Sequence, residues 1–188
     1  MEFVQPIREV KKIETMRKLL GAKSKRDELL FTLGINSALR ISDLLKLTVG
    51  DVIDEKGKVK EHIELREKKT NKSKRFPITK KVAKAINEYM SERQDVALDD
   101  PLFKSKKGGA ITRQHAWHVI NEAAQEAGIN DKIGTHTLRK TWAYHAYKAG
   151  VDISLLQQAL NHAAPSITLR YIGITQDDID NVILSLDL

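Results

Sequence analysis

The chain has 188 residues, which is enough to bury one substantial hydrophobic core, and we expect a single domain. Its 32 lysines and arginines outnumber its 25 aspartates and glutamates, and this basic balance favours a polyanionic partner such as nucleic acid over a soluble basic protein without one. The absence of cysteine excludes a disulfide framework and a thiolate metal site, and it fits a reducing compartment.

The first 20 residues are studded with basic side chains and contain no long apolar run. A secretory signal needs a continuous apolar stretch, and a membrane span needs a longer one. The sequence therefore predicts a cytoplasmic protein with no membrane association.

Two helices are predicted in the N-terminal part of the chain. Apolar residues at helical spacing indicate the first over residues 9–20, and Gly21 is expected to close it. Ser24 and Asp27 form a pattern close to a capping box for a second, strongly apolar helix. Arg40 is expected to lie at the far end of this second helix.

Residues 52–78 predict a small antiparallel sheet of two or three strands. Val59, Ile63 and Leu65 alternate with charged residues, which is the period of a half-buried strand. Gly57 and Asn71 mark the turns.

The rest of the chain is predicted to be helical. Thr79 and Thr112 each begin a helix with one apolar stripe. Four further helices are predicted over residues 137–147, 153–160, 166–172 and 177–186. The expected fold class is α+β, mostly α-helical, with a small antiparallel β-sheet.

Two arginines, two histidines and a tyrosine occur in an order that suits attack on a phosphodiester. These residues are Arg40, His136, Arg139, His162 and Tyr171. His136 and Arg139 are three apart and share the first turn of a helix, where free amides already favour an anion. Arg40 offers a planar fork that can grip two phosphate oxygens.

Pro165 interrupts the helix between His162 and Tyr171, so that a turn can bring these two side chains together. Taken singly, each residue also has a structural interpretation. His162 is then a histidine at a helix end, Tyr171 a half-buried packing residue, and the pair His136 and Arg139 part of a solvated basic face.

Three segments together resemble the catalytic domain of the tyrosine recombinases, the integrase family. They are SALRISDL at 37–44, HTLR at 136–139 and LNHAAPSITLRY at 160–171. The resemblance extends from about Lys25 to about Gly173. It implies the tyrosine recombinase catalytic-domain fold and a site-specific recombinase or integrase of a phage or mobile element, which cuts and rejoins DNA through a 3′-phosphotyrosyl intermediate.

The resemblance also implies roles for single residues. Tyr171 is the nucleophile, Arg40 and Arg139 stabilise the phosphate, His136 is the candidate proton acceptor and His162 donates a hydrogen bond. Lys69, on the family's β-hairpin, would protonate the leaving 5′ oxygen, and Lys68 is its close rival. The predicted DNA-binding residues are Lys68, Lys72, Lys74, Arg75 and Lys140.

Fixed cations take the place of a metal in this chemistry, and the sequence contains no metal-ligand cluster or phosphate loop, so neither metal nor cofactor is expected. The expected partner is double-stranded DNA. The protein is expected to be a monomer in solution and a tetramer on paired DNA sites, with accessory DNA-binding proteins as further partners.

Three residues depart from the family pattern. Ala38 and Asn161 stand where glycine is usual, and asparagine is the next best residue if a positive φ is needed at 161. Lys140 stands where histidine is frequent.

In domain terms, residues 1–188 are expected to form one catalytic domain without the N-terminal core-binding domain of typical members. A tail helix is expected over 175–188, which docks either on a neighbouring subunit or on its own domain. Two alternatives follow for the function: a non-catalytic DNA-binding regulator on a recombinase scaffold, and a type IB topoisomerase-like activity.

Overall fold

The computed structural model describes residues 4–66, 73–94, 96–174, 180 and 184–186. The helices there are α1 (Val10–Lys23), α2 (Lys25–Ile35), α3 (Ile41–Leu44), α4 (Lys80–Ser91), α5 (Arg113–Glu126), α6 (Thr135–Lys148), α7 (Ile153–Leu160) and α8 (Pro165–Ile172). A short 3₁₀ turn covers Val49–Asp51. The strands β1 (His62–Arg66) and β2 (Ser73–Pro77) pair antiparallel, with Ile63 opposite Phe76.

The main hydrophobic core lies between the helices of the N-terminal two thirds of the chain. Phe31, Phe103 and Met16 are fully buried in it. A second, smaller cluster lies under the C-terminal helices, where Ala143 and Leu160 pack together with partly buried aromatic rings. Tyr171 belongs to this second cluster, so the candidate nucleophile is part of a packed layer.

Three predicted helix starts are confirmed, because each capping side chain accepts a backbone N–H hydrogen bond. Ser24 accepts from the amide of Asp27, and Thr79 and Thr112 cap α4 and α5 in the same way. Side chains with a hydroxyl satisfy amides that the first turn of a helix leaves without partners. The sequence therefore fixes where these helices begin.

The predicted end of the first helix at Gly21 is wrong, because α1 continues to Lys23. Gly21 instead allows a close approach, since a Cβ there would lie 2.5 Å from Oε2 of Glu28. Glu28 is a buried carboxylate that pairs with Arg17 and Lys25. The glycine is required by packing between α1 and α2 and not by a helix end.

The sheet has two strands in the described part of the chain, at the lower end of the prediction. Val59 lies outside them and pairs only through an isolated bridge to Ile53. Pro165 begins α8 after a break that follows α7, as the sequence predicts. The predicted turn at Asn71 and most of the tail helix over 175–188 lie outside the described residues.

None of the helices in the described ranges is both long enough and apolar enough to cross a lipid bilayer.

Close packing between α2 and α6 sets the distance between the two candidate arginines. A Cβ built on Gly34 of α2 would lie 2.5 Å from Cδ1 and 3.1 Å from Cβ of Leu138, which is itself buried. Leu138 immediately precedes Arg139, and Gly34 lies six residues before Arg40. The glycine thus lets the chain segments that carry the two guanidinium groups approach each other.

We expect Gly34→Val to lower the free energy of unfolding by about 1–3 kcal/mol, because the new side chain overpacks the contact with Leu138. Chemical denaturation measures this change. Gly109→Val is the matched control, since nothing lies within 4 Å of a Cβ at Gly109, and it should leave stability within about 0.5 kcal/mol. Equal stabilities of the two variants would contradict this account of the contact.

Candidate active site

Arg139 is the centre of the candidate site. Its side chain is buried, and its guanidinium donates hydrogen bonds to two main-chain carbonyls, that of Ala38 before α3 and that of Leu160 at the end of α7, the second at 2.7 Å. Carbonyls at a helix C-terminus carry partial negative charge, which suits a buried cation. The charge of this guanidinium also lowers the pKa of the Tyr171 phenol, so the two groups lie close together. One side chain on α6 therefore links this helix to the segment before α3 and to the end of α7.

Tyr171 lies near the end of α8, half-buried against the small C-terminal cluster. Burial raises the pKa of its hydroxyl above the usual value, and this effect outweighs the charges of Arg139 and Arg40, which lower it. At neutral pH the phenol is therefore protonated. An approaching phosphate brings negative charge, so deprotonation needs a proton acceptor as well as the two cations.

His162 lies directly beside Tyr171, the candidate nucleophile. The two rings are 4.9 Å apart between centroids, at an interplanar angle of 74°. Nδ1 of His162 lies 3.0 Å from the hydroxyl of Thr168, which is fully buried on α8. Burial, followed by the charges of Arg139 and Arg40, lowers the pKa of His162, so its imidazole is neutral at pH 7. Thr168 fixes the orientation of this ring.

The backbone at Asn161 aims His162 toward Tyr171. Asn161 ends α7 with φ 53° and ψ 48°, a left-handed conformation that no other described residue except glycine adopts. Asparagine tolerates this region better than most residues. The departure from glycine at this position therefore preserves the local geometry.

Arg40 is exposed at the beginning of α3. Its charge lowers the pKa of Tyr171, of His162 and of His136, so its guanidinium lies in the neighbourhood of all three. No hydrogen bond or ion pair links its side chain to another of the described residues. It is thus an accessible cation facing the phenol, whereas Arg139 is a buried one.

His136 lies on the exposed side of the first turn of α6. Its Nε2 is 3.3 Å from the guanidinium of Arg113, which can only donate, so this nitrogen accepts. Burial and then the charge of Arg113 are the largest effects that lower the pKa of His136. The imidazole is neutral, but Arg113 occupies its basic nitrogen.

Lys140 is at odds with the predicted role as a DNA contact. The side chain is only 4% exposed, and its ammonium donates a 2.8 Å hydrogen bond to the carbonyl of Val4. The same ammonium lies 5.1 Å from the ring centroid of Tyr171. A buried ammonium that is hydrogen-bonded within the protein does not fit the predicted contact with a phosphate backbone.

The hairpin lysines lie mostly beyond what the structure describes. Lys68, Lys69 and Lys72 are outside the described residues, and only the backbone of Lys74 is described. Arg75 is exposed on β2 and donates to Nδ1 of His62 at 2.9 Å. The choice between Lys69 and Lys68 as general acid stays a prediction.

The structure thus brings four predicted residues close together, namely Arg40, Arg139, His162 and Tyr171, and His136 is near enough for the charges of both arginines to lower its pKa. Sequence reasoning missed Thr168 and Arg113, which orient the two histidines. Thr168 lies six residues after His162 on the next helix, a spacing that carries no local signal across a turn. In the described ranges, no cluster of three His, Asp, Glu or Cys side chains could hold a metal ion.

Comparison with known proteins identifies the family. The model of the phage integrase family matches residues 8–177, and the chain therefore belongs to this family. Over 178 residues it is 45% identical to the Bacillus subtilis protein named "Probable integrase/recombinase YoeC", covering 94% of this chain and 93% of that protein. It is 29% identical to the tyrosine recombinase XerD of Corynebacterium glutamicum, covering 84% of this chain and 51% of XerD.

Solved structures confirm the fold. XerA recombinase superposes with a TM-score of 0.76 at 21% identity, over 96% of this chain and 63% of XerA. The post-cleavage complex of XerH with its palindromic difH substrate superposes with a TM-score of 0.73 at 22% identity, over 95% of this chain and 51% of XerH. The chain spans about half the length of these XerD and XerH relatives. These structures confirm the predicted tyrosine recombinase catalytic-domain fold. The family match and the sequence relatives support the predicted class of enzyme, a tyrosine-type recombinase.

The left-handed turn at Asn161 gives a test of how the site is held. Asn161→Val should lower the free energy of unfolding by about 1–2 kcal/mol, because a β-branched residue is strained at positive φ. Asn161→Gly, the matched control, should be at least as stable as the wild type. Chemical denaturation compares the three proteins, and equal stability of the valine and glycine variants would contradict the assigned backbone conformation.

The lowered pKa values of His136 and His162 predict a pH dependence of stability. Each imidazole binds fewer protons in the folded than in the unfolded state, so the free energy of unfolding should rise as the pH increases toward about 6.5 and then level off. NMR titration of the ring signals should place both midpoints below 6.5. His162→Asn should make the slope shallower, and a midpoint above 6.5 for either ring would contradict the burial argument.

Proposed function

We propose that this chain cuts and rejoins double-stranded DNA at specific sites, with Tyr171 as the nucleophile and a 3′-phosphotyrosyl intermediate. One observation carries the proposal. A buried arginine that two main-chain carbonyls hold in place lies close enough to Tyr171 for its charge to lower the pKa of the phenol, and the ring of His162 lies 4.9 Å from the tyrosine ring, between centroids. A preorganised cation next to a hydroxyl is what in-line attack on a phosphodiester requires.

In the proposed first step, Oη of Tyr171 forms a bond to the scissile phosphorus while the bond from phosphorus to the 5′ oxygen breaks. The phenolic proton passes to an acceptor, and the 5′ oxygen receives a proton from Lys69 or Lys68. A 5′-hydroxyl from another strand then reverses the step. Arg40 and Arg139 stabilise the charge on the two remaining phosphate oxygens, and loss of one such donor costs on the order of 10² to 10³ in rate.

The two histidines have different roles in the proposed reaction. His162, oriented by Thr168, donates a hydrogen bond to a phosphate oxygen. His136 accepts the phenolic proton, and for this its Nε2 must first lose the contact with Arg113. Arg113 is exposed at the beginning of α5, so a DNA phosphate offers it a competing partner. DNA binding would in this way expose the base.

The DNA partner is supported by the XerH relative, which was solved with its difH substrate, and by the basic composition of this chain. Among the predicted DNA contacts on the hairpin, Arg75 is the residue whose side chain the structure describes. Its guanidinium is exposed, which fits a contact with a DNA phosphate. We further propose a monomer in solution and a tetramer on paired sites, with the tail over 175–188 docking between subunits. The protein is expected to act in the cytoplasm as one catalytic domain.

A non-catalytic DNA-binding regulator is the second candidate. It predicts specific binding that does not depend on Tyr171 and gives no covalent product. The observation against it is that the buried cation of Arg139 and the ring of His162 both lie next to Tyr171, an arrangement for which binding alone has no use. A type IB topoisomerase-like activity would share the chemistry but would relax supercoiled plasmid without a particular site.

A suicide substrate tests the proposal directly. A nicked DNA duplex carrying the protein's attachment site should become covalently joined to the wild-type protein, because the nicked fragment diffuses away before rejoining. Tyr171→Phe should form no such adduct, since it lacks the attacking oxygen. Denaturing gel electrophoresis resolves the adduct.

Tyr147→Phe is the matched control, because Tyr147 packs in the same small cluster but is not part of the constellation. It should form the adduct at close to the wild-type rate. Adduct formation by Tyr171→Phe would show that another residue is the nucleophile, and specific binding by the wild type without any adduct would favour the regulator.

A further inference from the structure

A segment ahead of the first helix packs along α6, and we call residues 4–8 the strap. The amide of Ile7 donates to the hydroxyl of Thr141 at 2.9 Å, and the ring of His145 donates to the carbonyl of Ile7 at 2.9 Å. The amide of Gln5 donates to the carbonyl of Lys132 at 2.9 Å. The strap is thus fixed by specific hydrogen bonds and not by apolar contact alone.

Lys140 connects this strap to the candidate nucleophile. Its ammonium donates to the carbonyl of Val4 at 2.8 Å and lies 5.1 Å from the centroid of the Tyr171 ring. A cation within about 6 Å of an aromatic face is attracted by the ring. The lysine therefore holds the phenol ring from one side, while the edge of the His162 ring packs against it and the guanidinium of Arg139 lies near its hydroxyl.

We propose that Lys140 is a positioning residue, which the strap holds in place and which in turn holds the ring of Tyr171 in line for attack. The inference rests on the proposed role of Tyr171 as nucleophile. It assigns no contact between Lys140 and DNA, since the ammonium is enclosed by the strap and the ring. The strap thereby supports the catalytic site, although in the sequence it lies about 130 residues before the part of α6 that it contacts.

The charge on Lys140 is expected to depend on pH in the mildly alkaline range. Burial, and then the charge of Arg8 on the strap, lower the pKa of its ammonium to about 8. Around it lie Arg8 from the strap, Tyr171 from α8 and His136 on its own helix, whose pKa Lys140 in turn helps to lower. A group whose pKa is lowered loses its proton as the pH rises through about 8, and with it the attraction to the ring.

The test is the pH dependence of single-turnover cleavage by wild type and Lys140→Met, a variant of similar length without charge. At pH 7 the wild type should cleave about 2- to 30-fold faster, the range that a cation–π contact supplies. The ratio of the two rates should fall toward one by about pH 9.5, because the wild-type lysine is then neutral as well. Burial raises the pKa of the Tyr171 phenol above its usual value of about 10, so the phenol stays mostly protonated over this pH range and its own titration contributes little to the change in the ratio.

Two further variants keep the inference falsifiable if Lys140→Met folds poorly. Lys140→Arg stays charged at high pH, so its rate relative to wild type should increase above pH 8. Arg8→Met removes a positive neighbour of Lys140, so the wild-type-like rate should persist to higher pH. A ratio of wild type to Lys140→Met that is one at pH 7, or that does not change with pH, would overturn the proposal, as would an unshifted profile for Arg8→Met.

The outcomes also separate this inference from the proposed function. If the wild type forms no adduct with DNA, the proposed function itself fails, and if Tyr171→Phe forms one, the nucleophile is misassigned. If the wild type forms the adduct, Tyr171→Phe does not, and Lys140→Met cleaves like wild type at every pH, only the positioning role of Lys140 fails.

Discussion

The buried guanidinium of Arg139 is the interaction on which the site depends. A cation removed from water costs several kcal/mol unless it is fully bonded, and here the carbonyls of Ala38 and Leu160 supply the bonds. Those two carbonyls belong to segments that carry other functional residues: Ala38 lies two residues before Arg40, and Leu160 two before His162. Satisfying one charge therefore brings the first arginine, the second histidine and the phenol of Tyr171 to the same place.

Much of the architecture is local enough to be predicted from the sequence. The hydroxyl caps at Thr79 and Thr112, and the break before Pro165, depend on residues within one helical turn, and the structure confirms them. The left-handed turn at Asn161 is of the same kind. The dispersed functional residues were found because family resemblance joins short motifs that physical periodicity alone does not connect.

What the sequence could not supply is every contact that crosses between elements. Gly21 has the pattern of a helix end but instead admits the carboxylate of Glu28 from the next helix. Lys140 has the pattern of a surface cation, yet the strap that encloses it lies far away in the chain. The contact between the guanidinium of Arg113 on α5 and His136 on α6 likewise joins residues of two different helices. These contacts are set by tertiary packing, for which the sequence of a single element carries no signal.

At rest, the site is held in place but not yet activated for attack. Burial keeps the phenol of Tyr171 protonated, and the guanidinium of Arg40 is exposed and accessible to an anion. We therefore expect a DNA phosphate, bound by the two arginines, to activate the site for attack. A crystal structure of the protein covalently trapped on a suicide DNA substrate tests this most directly. It should show Oη of Tyr171 bonded to the 3′ phosphate, with Arg139 donating to that phosphate while keeping its bond to the Leu160 carbonyl. A phosphate bonded to another residue, or lying out of reach of Arg139, would contradict the account.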